Sequence, residues 1–445
     1  MDLVGLIPSF GGLAFTVIAF VVALSIIVAI HEYGHYIVGR WCGIHAEVFS
    51  LGFGPVLYSR VDKRGTQWQV AALPFGGYVK FLGDSDAASG KDGEAMGALS
   101  EAELSRTMHG AKLWKRAATV AAGPVFNFIL SIVVFGSMIF WQGTATERPT
   151  IGALVDVPVA NSELRSGDVI TAIEGQATPD YVALNALRET LPRQPELTYT
   201  VDRDGSTRDV TGPYLMPPLV SGLQPRSAAM DEGFEVGDVI IAIDGTPVYA
   251  FEDLREAVEA SAGAELAMQV WRSGTELTIA VAPRRMDLPL PEGGFETRWL
   301  IGITGGMFFE PETVTPGPFA ALWQGVEQMI FIIRSSLSGL WHMITGAIST
   351  CNISGPIGIA ETSGAVASQG LDQFIWFIAV LSTAVGMLNL FPVPVLDGGH
   401  LVFHAYEAVT GRPPSDKALR VMMTAGLAML LTLMVFALSN DLFCP

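Results

Sequence analysis

Residues 13–35 read LAFTVIAFVVALSIIVAIHEYGH, and they decide what kind of molecule this is. The first eighteen carry no charge, long enough to be read as a helix crossing the roughly 30 Å of a bilayer's hydrocarbon. They run without a break into His31, Glu32, Tyr33, Gly34 and His35. On a helix, side chains four apart share a face, so both imidazoles can reach one metal ion with Glu32 beside it. Two histidines and a carboxylate at the inner end of a membrane helix are costly unless they face partners. Catalytic zinc takes three protein ligands and keeps one position open for water, whose proton a neighbouring carboxylate can accept. One ligand is missing from this stretch.

Working outward, the uncharged run begins at residue 3, and three more stretches suit a span: 117–146, 373–396 and 421–440. The first is not a cleavable signal, because no basic region precedes it and no small-residue cleavage site follows. A fifth stretch, 319–348, carries Glu327, Arg334 and His342, and reads as an amphipathic interfacial helix. Segment 40–116 holds ten Lys and Arg, whereas the arm before residue 13 and the tail after residue 440 hold none. With Arg412, Lys417 and Arg420 in the last loop, the positive-inside rule makes 40–116 and 398–420 cytoplasmic. Both termini and residues 148–320 then lie outside, and the histidine motif lies near the cytoplasmic side.

Only 16% of the 445 residues are charged, against about 25% in ordinary soluble domains. The mean hydropathy is +0.41. Yet 44 acidic residues face 26 basic ones, a net charge of −18 that excludes a nucleic-acid partner. The outer segment 148–320 alone contributes −14, from 26 Asp and Glu, 12 Arg and no Lys. Within it LRSGDVITAIEG (164–175) matches FEVGDVIIAIDG (234–245), an offset of 70. Each copy continues into a helix-like stretch (184–190, 251–258) and then strands with a turn (199–210, 267–281). This pattern resembles the PDZ family, in the circularly permuted form of bacterial envelope proteases. The resemblance implies two α+β domains, 148–214 and 215–286, that take peptide C-termini by strand addition. The second copy carries Pro225, Ala228 and Gly233; the first has Glu163 in place of that glycine.

The chain offers further metal ligands at NLFPVPVLDGGH, residues 389–400. Pro392 and Pro394 must break a helix, and freed backbone at membrane depth is tolerated only where it lines a cavity. Asp397 is the first acid after 24 uncharged residues, so a metal role is its default reading. His400 and His404 are rivals for the same role. Segment 46–81 alternates like strands, at 46–50, 56–61, 66–73 and 77–81, with a turn at Asp62-Lys63-Arg64-Gly65. Its apolar turns, Gly52-Phe53-Gly54-Pro55 and Leu73-Pro74-Phe75-Gly76-Gly77, suggest a hairpin dipping into the membrane. Residues 83–108, with Asp84, Ser85, Asp86, Ser89 and Gly90, read as a mobile polar linker. Three cysteines, Cys42, Cys351 and Cys444, exclude a disulfide framework.

Taken together, HEYGH in a first span, NLFPVPVLDGG in a late one, AGPVFN at 122–127 and tandem PDZ-like repeats resemble the site-2 protease family of intramembrane zinc proteases. The likeness covers essentially the whole chain. It implies one Zn²⁺ held by His31, His35 and Asp397, with Glu32 as general base. Asn389 would hold the substrate backbone, and a membrane-reentrant β-edge near Gly52, Phe53 and Gly54 would pair with an unwound substrate. It also implies a multi-pass protein of the bacterial inner membrane that cuts single-span proteins, anti-sigma-factor-like ones and remnant signal peptides.

The expected fold is an α-helical transmembrane core of four spans, with a membrane-associated β-hairpin or sheet and two extracytoplasmic α+β PDZ domains. The expected order is 1–40 first span, 41–116 β region and linker, 117–147 second span, 148–214 and 215–286 repeats, 287–372 linker and interfacial helices, 373–397 third span, and 398–445 loop and fourth span. Two rival readings are a membrane-anchored PDZ adaptor or chaperone with a structural metal, and a membrane zinc protease of soluble loops. A structural zinc would be closed by four ligands.

Overall fold

Residues 13–30 of the uncharged run and the histidine motif form a single helix, α1 (Leu13–Trp41), which no proline interrupts; residues 1–11 of the expected first span lie outside the described residues. It ends where Gly43 adopts φ +83°, with the Ile44 N–H bonded back to Gly39 O. This is a computed structural model that describes residues 12–84, 96–97, 99–158, 162–289 and 295–443. The chain divides into two units: one holds the chain up to Met138, Pro318–Trp341 and everything from Thr350 on, the other Ile139–Gly317 and His342–Ser349.

In the first unit α1 is followed by α2 (Leu113–Gln142), α3 (Pro318–Ile344), α4 (Pro356–Gln369), α5 (Leu371–Asn389), α6 (Asp397–Thr410) and α7 (Asp416–Phe443). Four of these, α1, α2, α5 and α7, are long and apolar enough to cross a membrane, the number expected. Their outer faces leave large apolar side chains bare, such as Ile18, Val435 and Val421, as a helix against lipid requires. The boundaries differ from those expected. The second span starts at Leu113, because Trp114, Lys115 and Arg116 join its first turn, where long basic stems suit an interface. The third ends at Asn389, ahead of Pro392 and Pro394, which cannot continue it.

Stretch 319–348 forms one long helix, α3, ending at Ile344. Ala321 and Gly325 press it onto α2, where a Cβ on Gly325 would lie 2.6 Å from Ile132 O. Residues 349–372, expected as linker and interfacial helices, contain α4. Pro356 opens this helix, and Asp441 of α7 caps it by accepting from the N–H groups of Gly355, Ile357 and Gly358. α4 lies close on α1, where Gly364 meets the Thr16 backbone. Of the cysteines, Cys42 is free and buried and Cys351 is disulfide-bonded.

The four expected short strands are fused into two bent ones, β1 (Ala46–Val61) and β2 (Gln67–Phe81). Residues 48–51 sit between the two halves of β2: Phe49 faces both Trp68 and Val79, and Ser50 both Gln69 and Tyr78. Residues 56–61 pair only with 67–71 and so form one outer edge, while 77–81 form the other. The 56–61 edge exposes Val56, Leu57, Tyr58 and Val61 on both faces. Of the expected linker 83–108, residues 85–95 and 98 lie outside the described residues. Its end is ordered, with a Ser100-capped turn at Glu101–Leu104 and Met108 buried against Phe81 and Tyr36.

In the second unit the two repeats have the same sheet. The first orders its strands 176–177, 169–173, 196–203, 206–213; the second orders them 246–247, 239–243, 266–272, 275–281. Each has its own core, around Ile170, Tyr199 and Phe308 in one and Ile240, Met268 and Val270 in the other. The expected boundaries 148–214 and 215–286 stop too early. Ile303–Thr304 pairs with Gly222–Leu223, Phe309–Pro311 with Ile151–Leu154, and Thr313–Val314 with Thr144–Ala145. The second copy is therefore nested inside the first, and part of the expected linker is strand, at Phe295–Leu300, Ile303–Thr304, Phe309–Pro311 and Thr313–Val314. Strands of two or three residues carry no alternation to read.

Candidate metal centre

His31 and His35 stand one turn apart on α1, and a glycine on each of two helices lets α2 come close to them. A Cβ on Gly34 would lie 2.5 Å from Ala122 O, and one on Gly123 would collide with His35 Nε2 and lie 2.8 Å from His31 Cε1. Small residues at crossing points let membrane helices approach to this distance. The third element enters from the broken segment after α5. Residues 390–396 fold back on themselves, with Val393 N–H bonded to Phe391 O and Leu396 N–H to Val393 O. Gly398 and Gly399 have no room for a side chain against the backbone of Leu390 and Val393. Asp397 thus becomes the first residue of α6, which Arg116 of α2 also grips through Glu407 at 2.6 Å.

The three side chains meet at a point. His31 Nε2 lies 3.2 Å from His35 Nε2 and 3.2 Å from Asp397 Oδ2, and His35 Nε2 lies 3.5 Å from Asp397 Oδ2. Ligands about 2.0–2.1 Å from a tetrahedral ion stand roughly 3.3–3.4 Å from one another, so these separations are those of a three-ligand face. Among the described residues this is the one group of three such side chains whose donor atoms converge. Asp397 Oδ2 is buried and has no hydrogen-bond donor, which in a protein interior asks for a cation. Both histidines expose little of their side chains, 12% and 13%. The residues present fit a tetrahedral ion with a fourth position left over.

Glu32 stands beside this triangle. Its carboxyl group takes a backbone hydrogen bond from Val79, and His35, His31 and Asp397 are its charged neighbours. A Cβ on Gly77 would lie 3.1 Å from Glu32 Cγ, so the 77–81 edge of the sheet passes directly over the carboxylate. Sequence reading expected a substrate-pairing edge near Gly52, Phe53 and Gly54. Those residues form the bend of β1: Gly52 (φ +87°) packs on Ala71 O and Leu73 O, and Phe53 stacks on Tyr78 with centroids 5.9 Å apart. Asn389 ends α5 with its amide donating to Val385 O at 3.0 Å, not to the metal ligands. His400 and His404, the rival ligands, lie outside the converging group. Three contributors were not legible as such: Gly123, Gly77 and Thr119, whose carbonyl accepts from His35 Nδ1 at 2.9 Å.

The family model of peptidase family M50 matches residues 19–433. A protein of Agrobacterium fabrum named as a zinc metalloprotease is 37% identical over 430 residues, covering 96% of this chain and 95% of its own length. One of Rhizobium meliloti with the same description is 36% identical, covering 97% of each chain. The regulator of sigma-E protease of Escherichia coli is 32% identical, covering 95% of this chain and 97% of its own. The chain belongs to peptidase family M50, the site-2 protease family, and is a zinc-dependent metalloprotease.

Proposed function

We propose that this member of the site-2 protease family is an intramembrane endopeptidase of the bacterial inner membrane. Its substrates on this reading are single-span membrane proteins already trimmed outside, such as an anti-sigma factor, together with remnant signal peptides. His31, His35 and Asp397 are its zinc ligands. The observation that carries the reading is the triangle of donor atoms at 3.2, 3.2 and 3.5 Å, with two of its corners inside a helix built to span a membrane. Bound there, zinc would supply Lewis acidity to an attacking water and the scissile carbonyl. Glu32 accepts the proton of the attacking water and passes it to the leaving amine, and its place beside all three ligands supports that role.

A helix must be unwound before its carbonyls can be attacked, and each unpaired backbone group in lipid costs several kcal/mol. An open sheet edge offers replacement partners. The edge at 77–81, over Glu32, supports this reading together with Gly52, Phe53 and Gly54 at the bend and Asn389 at the broken helix. The repeats act as PDZ-type modules that take peptide C-termini and exclude untrimmed substrates. They and both termini lie outside, and the zinc site lies near the cytoplasmic face, a placement the charge distribution supports.

The test is co-expression of the intact chain or its Glu32→Gln variant with a panel of tagged single-span envelope proteins. Loss of a general base costs about 10²–10⁴-fold. A membrane-embedded fragment that accumulates only with the variant identifies the substrate. Equal processing by both forms sinks the mechanism, and efficient cleavage of a soluble unfolded protein sinks the intramembrane reading.

A further inference from the structure

The reading above makes no use of Asn127, although it is completely buried and touches a metal-ligand candidate. Its Nδ2 lies 3.1 Å from His31 Nδ1, while its Oδ1 is buried with no hydrogen-bond partner. It shares one face of α2 with Thr119 and Gly123, each four residues from the next. Thr119 meets His35 Nδ1, Gly123 makes room for both rings, and Asn127 meets His31 Nδ1. We infer that Asn127 is a positioning residue that fixes the tautomer and orientation of His31, with its amide oxygen toward Nδ1. This rests on His31 being a zinc ligand.

The chemistry follows from the two rings. Both histidines turn Nε2 into the donor triangle. A neutral imidazole that gives its Nε2 lone pair to a metal keeps its proton on Nδ1, which must then find an acceptor. For His35 that acceptor is the Thr119 carbonyl, which can only accept. His31 in the same tautomer would point an N–H at the N–H of Asn127. Amide oxygen and nitrogen have nearly the same shape, so their placement is settled by the hydrogen bonds they make. Turning the amide by half a revolution gives Nδ1–H···Oδ1 and supplies the orphaned oxygen with a donor. The nitrogen then takes the oxygen's former place, and the exchange is decided at His31, where two facing donors are the costlier arrangement.

The amide is held on a fixed base. The Asn127 carbonyl accepts from Ser131 Oγ and from Ser382 Oγ of α5, each at 3.0 Å, and Ser131 Oγ also reaches Ala379 O at 2.8 Å. Gly386 of α5 lies against it, where a Cβ would sit 3.2 Å from Asn127 Cβ. An acceptor that orients a ligating histidine typically contributes 10–100-fold in metal affinity.

The test measures zinc affinity by chelator competition, with apo-protein melting alongside, for the full-length protein in detergent and its Asn127→Ala, Asn127→Asp and His31→Ala variants. Asn127→Ala should lose about 10–100-fold in zinc affinity. Asn127→Asp, still an acceptor and a stronger one, should bind zinc at least as tightly as the parent. A role in packing alone predicts the opposite order, because a buried carboxylate would be the worse substitution. Asn127→Ala within two-fold of the parent, or Asn127→Asp no tighter than Asn127→Ala, overturns the inference. If His31→Ala keeps parental affinity, the ligand assignment itself is wrong; if His31→Ala loses zinc and Asn127→Ala does not, only the role of Asn127 is. Should Asn127→Ala not fold, ¹⁵N-histidine spectra of the zinc-loaded parent decide the matter. A metal-bound His31 protonated at Nδ1 supports the inference, and one protonated at Nε2 ends it.

Discussion

Asp397 in the membrane unit and the pair Asp168 and Asp238 in the repeat unit are treated in opposite ways. Each repeat aspartate is saturated. Asp168 accepts from Arg203 Nε at 2.6 Å and Nη2 at 2.7 Å and from the Arg165 N–H at 2.8 Å. Asp238 accepts from Arg272 at the same two distances and from the Glu235 N–H at 2.9 Å. Asp397 Oδ2 has no donor at all and faces two imidazole nitrogens at 3.2 and 3.5 Å. A forked arginine with a backbone N–H is a finished structural element. A buried carboxylate oxygen facing two imidazole nitrogens without a donor of its own suits a cation.

That contrast can be broken by removing the carboxylates. Asp397→Ala should abolish stoichiometric zinc and reduce cleavage to background, while the apo protein melts at or above the parental temperature, because an uncompensated buried charge is gone. Metal analysis with melting of the chelator-treated protein checks this, and a large drop in apo stability would place Asp397 with the structural aspartates. Gly123→Ala should come next: its methyl would enter the space of His35 Nε2. Displacing a ligand by about 1 Å is expected to cost about 10²-fold in activity, together with weaker zinc retention. Asp168→Asn and Asp238→Asn should instead leave zinc bound. Breaking a buried pair costs about 3–5 kcal/mol, or very roughly 6–20 °C in melting of a unit this size.

Asp168 also sets an acid limit. Burial works against charge on Asp168, but the hydrogen bonds from Arg203 and from the Arg165 N–H outweigh it and hold its carboxyl below the ordinary range. A depressed native value means the stabilisation is complete above the unfolded carboxylate's pKa of about 4 and is lost as pH falls through the native value. Melting of the repeat unit should fall steeply below about pH 4, and Asp168→Asn should flatten that slope. A parental slope in the variant would assign the acid limit to other carboxylates.

The proposed metal ligands were legible because they interrupt apolar runs: His31, His35 and Asp397 are conspicuous among residues that carry no charge. The repeats were legible because Gly167-Asp168 and Gly237-Asp238 open strands with the same pattern 70 residues apart. What was not legible depends on approach across the chain. Asn127 could be read as part of a motif, but its place beside His31, 96 positions away, depends on Gly34 and Gly123 letting two helices close. The strands that close the repeats, at 303–304 and 309–311, are too short to alternate. The passage of the 77–81 edge over Glu32 was not legible, because β2 folds back at Gly76, where φ is +151°, and only then passes the site at Gly77.

The finest division lies between the two structural aspartates. Arg272 also reaches Glu235 Oε1 at 2.6 Å, where the first repeat carries Arg165 and has no equivalent acid. Glu235 is 66% exposed along its side chain, so water and salt screen that extra bond. Glu235→Ala should therefore cost less than about 1 kcal/mol, and the loss should shrink further in high salt. Its backbone N–H still holds Asp238, so the fork itself stays intact. Chemical denaturation of the parent and variant at low and high ionic strength reads this directly. A salt-independent loss approaching that of Asp238→Asn would mean that the exposed acid, and not the buried fork, organises the second repeat.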